Sequence, residues 1–518
     1  MLLVLLGCAT ECLEGFELAA DGNCYALTEP AGDPALEAPA LLRRTSLDLL
    51  GRLPSVEDLD EVDSRPAALR RLRQEMLQDP AAEERLVEIL GERWHTLVDD
   101  FTVQALELGL DEYAFERSVG EEPLRLMARI GVEDRPWTDI VRADFTMAND
   151  TLVELWPLER EEGGTWSVGH YTDGRPAAGV LATNGLFWRY RTTVSNANRG
   201  RAAAVMKLTV CDDIGSRPVS FDVGDSLVEA GTAVAIQQNP SCVACHVTLE
   251  PLASSLFGWY WFESFNGLET GAYHTEREPL GEEFLGVGGG WYGQPVDGLA
   301  SLGAAIAADP RFARCQAQAF SEALWADPLE DLEDLGTLDL LVEQWKAEGL
   351  RLSALLELLL AAPAYASAPP RILSADQLST MVEDLTGFSW RSEGFELMHS
   401  DTRGYRIMAG GVDGRFVLTA SDEPSLTWAL VVKRLAEASS AYAVDQGTFF
   451  TVASAQTTPD EQAFEDQLSE WAWRLTADEA DREGLTELWW AVQASSGSDQ
   501  AWAAVMTAML RDPSVVVY

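Results

Sequence analysis

Two thiols and an imidazole stand together at Ser241-Cys242-Val243-Ala244-Cys245-His246. Thiols three residues apart can add to the two vinyl groups of one porphyrin. The imidazole that follows at once then lies under the iron as an axial ligand. The pattern therefore predicts one covalent haem c, attached through Cys242 and Cys245 and ligated by His246. Three other chemistries use a cysteine pair. A redox-active Cys-x-x-Cys disulfide needs a thioredoxin-like strand-to-helix setting, which the flanks lack. A zinc site needs a second Cys-x-x-Cys or a His-x-His cluster, which the sequence does not contain. A plain structural disulfide is the third.

The second axial ligand stays open between three readings. His274 lies 28 residues downstream of His246 and is the nearest imidazole in sequence. Met147, Met206, Met398 and Met408 are the thioether candidates, although buried Met is more often core filler. His95, His170 and His399 read as surface or satisfied polar residues. An open sixth position is the third reading. The choice sets the chemistry: Met raises the potential relative to a second His, and an open position permits ligand chemistry. No Ser-His-Asp order, P-loop or His-Glu-x-x-His pattern accompanies the motif. Gly288-Gly289-Gly290-Trp291-Tyr292-Gly293 satisfies Gly-x-Gly-x-x-Gly on spacing. It lacks the preceding strand and following helix of a dinucleotide site, so it reads as a Gly-rich loop.

The other cysteines bear on compartment. The chain has seven, and one assignment uses them all. The apolar start ending in Leu6-Gly7-Cys8 resembles a bacterial lipoprotein signal with Cys8 lipidated, though it is shorter than a normal signal and lacks a preceding Lys or Arg. Cys12 and Cys24 would close a small Gly-containing loop. Cys211 and Cys315 would form a long-range disulfide, or would stand as buried free thiols. Both bridges need an oxidising compartment. The expected location is thus the periplasm or cell surface, with a lipid anchor to the membrane.

Charge narrows the partners. The 518 residues carry 84 Asp and Glu against 37 Lys and Arg, a formal net charge of −47. Such a field repels phosphate almost everywhere, which excludes a nucleic-acid binder working by phosphate neutralisation. It favours a basic redox partner protein. With 47% hydrophobic residues and 17 Trp, the chain is nonetheless built to fold.

The elements that must position the motif read as mainly α, in a multi-domain helical chain with a loop-rich middle region. Residues 1–40 read as signal, small loop and tether. Residues 41–178 form a helical N-terminal domain, 179–366 a haem-binding middle domain, and 371–518 a C-terminal helical domain after the linker Ala366-Ser367-Ala368-Pro369-Pro370. Helices are expected at 41–50, stopped by Gly51 and Pro54, then after Ser55 as N-cap, at 67–78 and at 84–98. Residues 151–178 read as irregular. A basic helix carries Arg199, Arg201 and Lys207; it faces either a haem propionate or the chain's own carboxylates. Helical periodicity returns at 299–366, and Ser374 opens another helix.

Several blocks, in order, resemble the large exported proteins of planctomycetes and myxobacteria labelled planctomycete cytochrome-c type, built from domains of unknown function. Arg43-Arg44-Thr45-Ser46-Leu47-Asp48-Leu49-Leu50-Gly51-Arg52-Leu53-Pro54 is similar to their opening element, and Glu92-Arg93-Trp94 to a later helix. Arg135-Pro136-Trp137-Thr138 through Asn149 resembles a third block. Gly179 to Cys211, Asn239 to Leu252 and Asp309-Pro310-Arg311-Phe312-Ala313-Arg314-Cys315 flank and contain the haem motif. Leu475 to Glu479 and Leu510 to Ser514 resemble a terminal helix pair. Glu250 stands where the family usually has Asp, and Ala-Ser-Ser follows Leu252 in place of Gly-Phe-Ala. The resemblance implies a mostly helical, exported, haem-bearing protein and names no substrate. Three functions follow: a c-type cytochrome-like electron carrier; a haem-dependent oxidoreductase or redox subunit of an extracellular degradative complex; or a disulfide-stabilised surface binding protein without haem.

Overall fold

The computed structural model describes residues 16–18, 24–26, 36–101, 105–218, 240–260, 271–325, 332–478 and 480–518. Cys8 and Cys12 lie outside them. Strands β1 (Phe16–Leu18) and β2 (Cys24–Ala26) pair antiparallel; Cys24 falls on β2, but the placement of its side chain is outside the description. The chain is mainly α-helical with little sheet.

Helices of eight or more residues are numbered in chain order. The first group is α1 (Ala38–Leu50), α2 (Val56–Ser64), α3 (Leu69–Met76), α4 (Pro80–Trp94) and α5 (Glu112–Val132). The middle group is α6 (Arg199–Val210), α7 (Pro240–Ser255), α8 (Gly298–Ala308), α9 (Pro310–Trp325), α10 (Leu332–Ala347) and α11 (Leu352–Ala361). The last group is α12 (Ala375–Thr386), α13 (Leu426–Gln446), α14 (Gln462–Thr476), α15 (Arg482–Ser496) and α16 (Ser498–Leu510).

Local chemistry sets these bounds. Gly51 closes α1 in the left-handed conformation at φ 66°, which costs glycine nothing. Ser55 opens α2 by accepting from the Asp58 N–H. Ser374 and Gln377 form a complete capping box at the start of α12. The helix expected at 84–98 starts earlier, at Pro80, because Asp79 caps it by accepting from Ala81 N–H and proline suits the first turn. It also ends earlier, where His95 turns left-handed at φ 54°.

Residues 151–178 are not irregular throughout. Strands β3 (Thr146–Ala148), β4 (Leu158–Arg160) and β5 (Ser167–Tyr171) form a small antiparallel sheet in the order β3-β5-β4. Strands this short show too few residues to display an alternating pattern. Gly169 also hides it; a Cβ there would come within 2.8 Å of the Ala148 side chain. The Gly-rich stretch at 288–293, expected as a loop, contains strand β6 (Gly290–Trp291) and the two-residue turn Tyr292-Gly293, both at positive φ, that leads to β7 (Gln294–Pro295).

One large core runs from Leu42 to Ala368 and draws on residues both before and after position 178. A second core occupies 372–518 and takes in Leu47 and Leu53 from the N-terminal region. The opening Arg-Arg-x-x-x-Asp block joins the two. Arg43 donates to the carbonyls of Leu475 (2.5 Å) and Val515 (2.6 Å), and Arg44 to Ala368 (2.8 Å) and Pro369 (3.2 Å). Asp48, fully buried, accepts from Tyr365 and Tyr518 hydroxyls at 2.8 Å each and pairs with Arg371.

Candidate functional site

The motif sits on α7. Positions 242, 245 and 246 are i, i+3 and i+4 of that helix, so Cys242, Cys245 and His246 share one face. Both thiols are unpaired and half-buried. One further turn along, Glu250 accepts from His246 Nδ1 at 2.6 Å. A carboxylate only accepts, so Nδ1 carries a proton, and in the neutral ring Nε2 then holds the lone pair. Glu250 is itself held by α6: Arg199 Nε reaches Oε1 at 2.6 Å and Nη2 reaches Oε2 at 2.9 Å. Burial alone would raise the Glu250 carboxyl. The hydrogen bonds from His246 and Arg199 outweigh it and hold the carboxyl below its ordinary value.

The neighbouring backbone packs closely on α7. A Cβ at Gly281 would fall 2.4 Å from the Ser254 carbonyl oxygen. One at Gly290 would fall 2.9 Å from Pro251. These two glycines let the 280–291 segment lie directly on the helix.

The basic helix α6 balances the chain's own charge. Arg199 takes Glu250, and Lys207 takes Asp213 at 2.8 Å. Arg201 is buried without a carboxylate at ion-pair distance among the described residues. It donates to the carbonyls of Phe187, Tyr190 and Trp259 and to the Asn198 side chain. Burial pulls its guanidinium down to about 9.

The candidates for the second axial position scatter. His274 Nδ1 lies 3.0 Å from Glu276, and its buried Nε2 has no hydrogen-bond partner. Met206 lies on α6 inside the large core. Met147 is buried on β3. Met398 belongs to the C-terminal core, and Met408 is exposed. His95 Nε2 meets the Leu418 carbonyl at 2.8 Å, and His170 Nδ1 meets that of Asp144 at 3.2 Å. His399 lies between Asp376 and Glu396.

Cys211 and Cys315 form a disulfide, with Cα atoms 5.3 Å apart across 104 residues of sequence. It ties the C-cap of α6 to the middle of α9. Arg93 of α4 lies against it, with Nη2 3.0 Å from Cys211 Sγ and 3.6 Å from Cys315 Sγ.

The donor set suits a covalent haem: two free thiols on one helical face, and an imidazole whose outer nitrogen is fixed so that Nε2 faces away from its carboxylate partner. The His-x-x-x-Glu spacing at 246 and 250 is the signal that sequence reading passed over. It is an i, i+4 pair once the segment is helical. Compared with known protein families, curated proteins and solved structures, the chain matches none.

Proposed function

We propose that this chain is an exported, lipid-anchored c-type cytochrome-like protein that carries one haem and transfers electrons. The observation that supports it most is the Cys242, Cys245 and His246 face of α7, with His246 Nδ1 on Glu250 at 2.6 Å. Cys242 and Cys245 would hold the porphyrin edge by thioethers, and His246 Nε2 would ligate the iron. When bound, haem supplies a one-electron iron couple. The chain's own residues orient the imidazole through Glu250 and Arg199, and the α6–α7 packing keeps that pair largely out of water. The Cys211–Cys315 bridge agrees with an oxidising compartment. The surplus of acidic residues selects a basic redox partner. An anchor at Cys8 would keep the carrier at the membrane.

The test is covalent haem in chain matured by a c-type assembly system. Haem staining of a denaturing gel should give a band that Cys242→Ala/Cys245→Ala abolishes. A reduced spectrum then separates six-coordinate iron, as electron transfer expects, from an open position suited to a haem-dependent oxidoreductase. An unstained band from properly exported protein sinks the haem reading and leaves a surface binding protein.

A further inference from the structure

We infer that Cys211–Cys315 is a thiol–disulfide exchange site for a dithiol reductant, with Arg93 as the group that stabilises the departing thiolate. This inference does not rest on haem.

The two sulfurs are unlike. Cys211 is exposed, at the left-handed C-cap of α6 with φ 55°. Cys315 is 2% exposed, within α9. An incoming thiolate therefore reaches Cys211 and expels Cys315. Arg93 already lies beside both sulfurs. A neutral disulfide gains little from a guanidinium, whereas a thiolate gains a charge-assisted partner.

Arg93 is also short of partners. Among the described residues no carboxylate lies at ion-pair distance from it, and its Nε is buried without a hydrogen bond. Burial lowers its pKa, with Glu322 opposing from farther off. A half-buried cation without a close counter-ion carries a desolvation cost in the oxidised state. Reduction supplies the counter-ion. Stabilising the reduced form makes a disulfide easier to reduce. Arg93 and Gln316 also line a cavity of about 350 Å3 together with Glu92, Glu322 and Asp422. Those carboxylates disfavour an anionic ligand as the partner Arg93 awaits.

The exchange balances as follows. The reductant loses one thiol proton to solvent and its sulfur bonds to Cys211 Sγ. The Cys211–Cys315 bond breaks, and Cys315 leaves with the electron pair as a thiolate beside Arg93. The reductant's second thiol loses its proton and displaces Cys211, which takes up a proton. The dithiol is oxidised by two electrons, the protein disulfide is reduced by two, and one proton is released.

The experiment equilibrates the folded full-length chain in dithiothreitol buffers of graded potential, alkylates free thiols and locates them by mass spectrometry. Arg93→Gln should make the disulfide about tenfold harder to reduce, which is about 30 mV for a two-electron couple. Arg93→Lys should stay near wild type. With glutathione as a monothiol, the adduct should form on Cys211. Equal midpoints for wild type and Arg93→Gln overturn the inference, as does an adduct on Cys315. If Arg93→Gln does not fold, the unmutated reduced chain decides. Alkylation of Cys315 should show a thiol titrating well below the ordinary value of about 8.5. Titration at or above that value overturns the inference.

Discussion

Arg199 grips Glu250 through two hydrogen bonds, and Glu250 passes that grip to His246 one helical turn away. The arrangement makes the imidazole a stronger donor through Nε2 than a free ring would be. Glu250→Gln keeps the shape and removes the charge. In haem-loaded chain the iron midpoint potential should then rise by on the order of 60 mV, a tenfold effect for a one-electron couple. Spectroelectrochemical titration reads it. An unchanged midpoint would show that Glu250 only packs. The carboxyl is held below its ordinary value. Its contribution to stability is thus full above about pH 4.3 and is lost as the pH falls through the lowered folded value.

Asp48 is the buried junction of the two cores, where Arg371, Tyr365 and Tyr518 converge. Asp48→Ala leaves the Arg371 charge without its carboxylate. Urea unfolding should show a loss of about 3–5 kcal/mol. Tyr518→Phe removes one hydroxyl and should cost less, about 1 kcal/mol. Equal losses would mean that the charge at this junction matters no more than one hydrogen bond.

Glu116 gives the opposite pH dependence to Glu250. Burial first, then the nearby Asp99 and Glu112, push its carboxyl up to about 8. A raised carboxyl stabilises fully below its unfolded value and loses that contribution as the pH rises through the folded one. Between about pH 4.3 and pH 8 the wild type therefore loses stability at this position. Glu116→Gln cannot ionise. It should raise the unfolding free energy read from urea melts at pH 9, by about 1 kcal/mol after solvent screening, with little gain at pH 5. A gain of the same size at both pH values would point to packing instead of charge.

The Cys211–Cys315 bridge spans 104 residues. Cys211→Ser/Cys315→Ser should lower stability by about 2–5 kcal/mol, since the unfolded chain regains the loop entropy that the bridge removes. Denaturant melts of the double variant against the oxidised wild type check this. A loss below about 1 kcal/mol would show that packing of α6 on α9 suffices.

Local order was legible wherever one residue type dictates it. Gly51 as a helix stop and Ser55 and Ser374 as N-caps follow from backbone preferences within a few residues. The small β3-β5-β4 sheet was not legible, because its strands are short and its register, with Gly169 opposite Thr146 on one side and Arg160 on the other, is set by pairing between separate segments. The roles of Arg43, Arg44 and Asp48 were also hidden. Their partners lie more than 300 residues away, and nothing local marks a side chain as an acceptor for a distant carbonyl or tyrosine.

The same division holds for the site. The sequence by itself determined the helical class, the acidic surface and the grouping of Cys242, Cys245 and His246, since these depend on composition and on neighbours along the chain. Only the tertiary structure decided that Arg199 stands behind Glu250, that Cys211 pairs with Cys315, and that Arg93 lies against that pair. Those relationships join separate helices, and close packing of α4, α6, α7 and α9 around one core brings them within hydrogen-bonding distance.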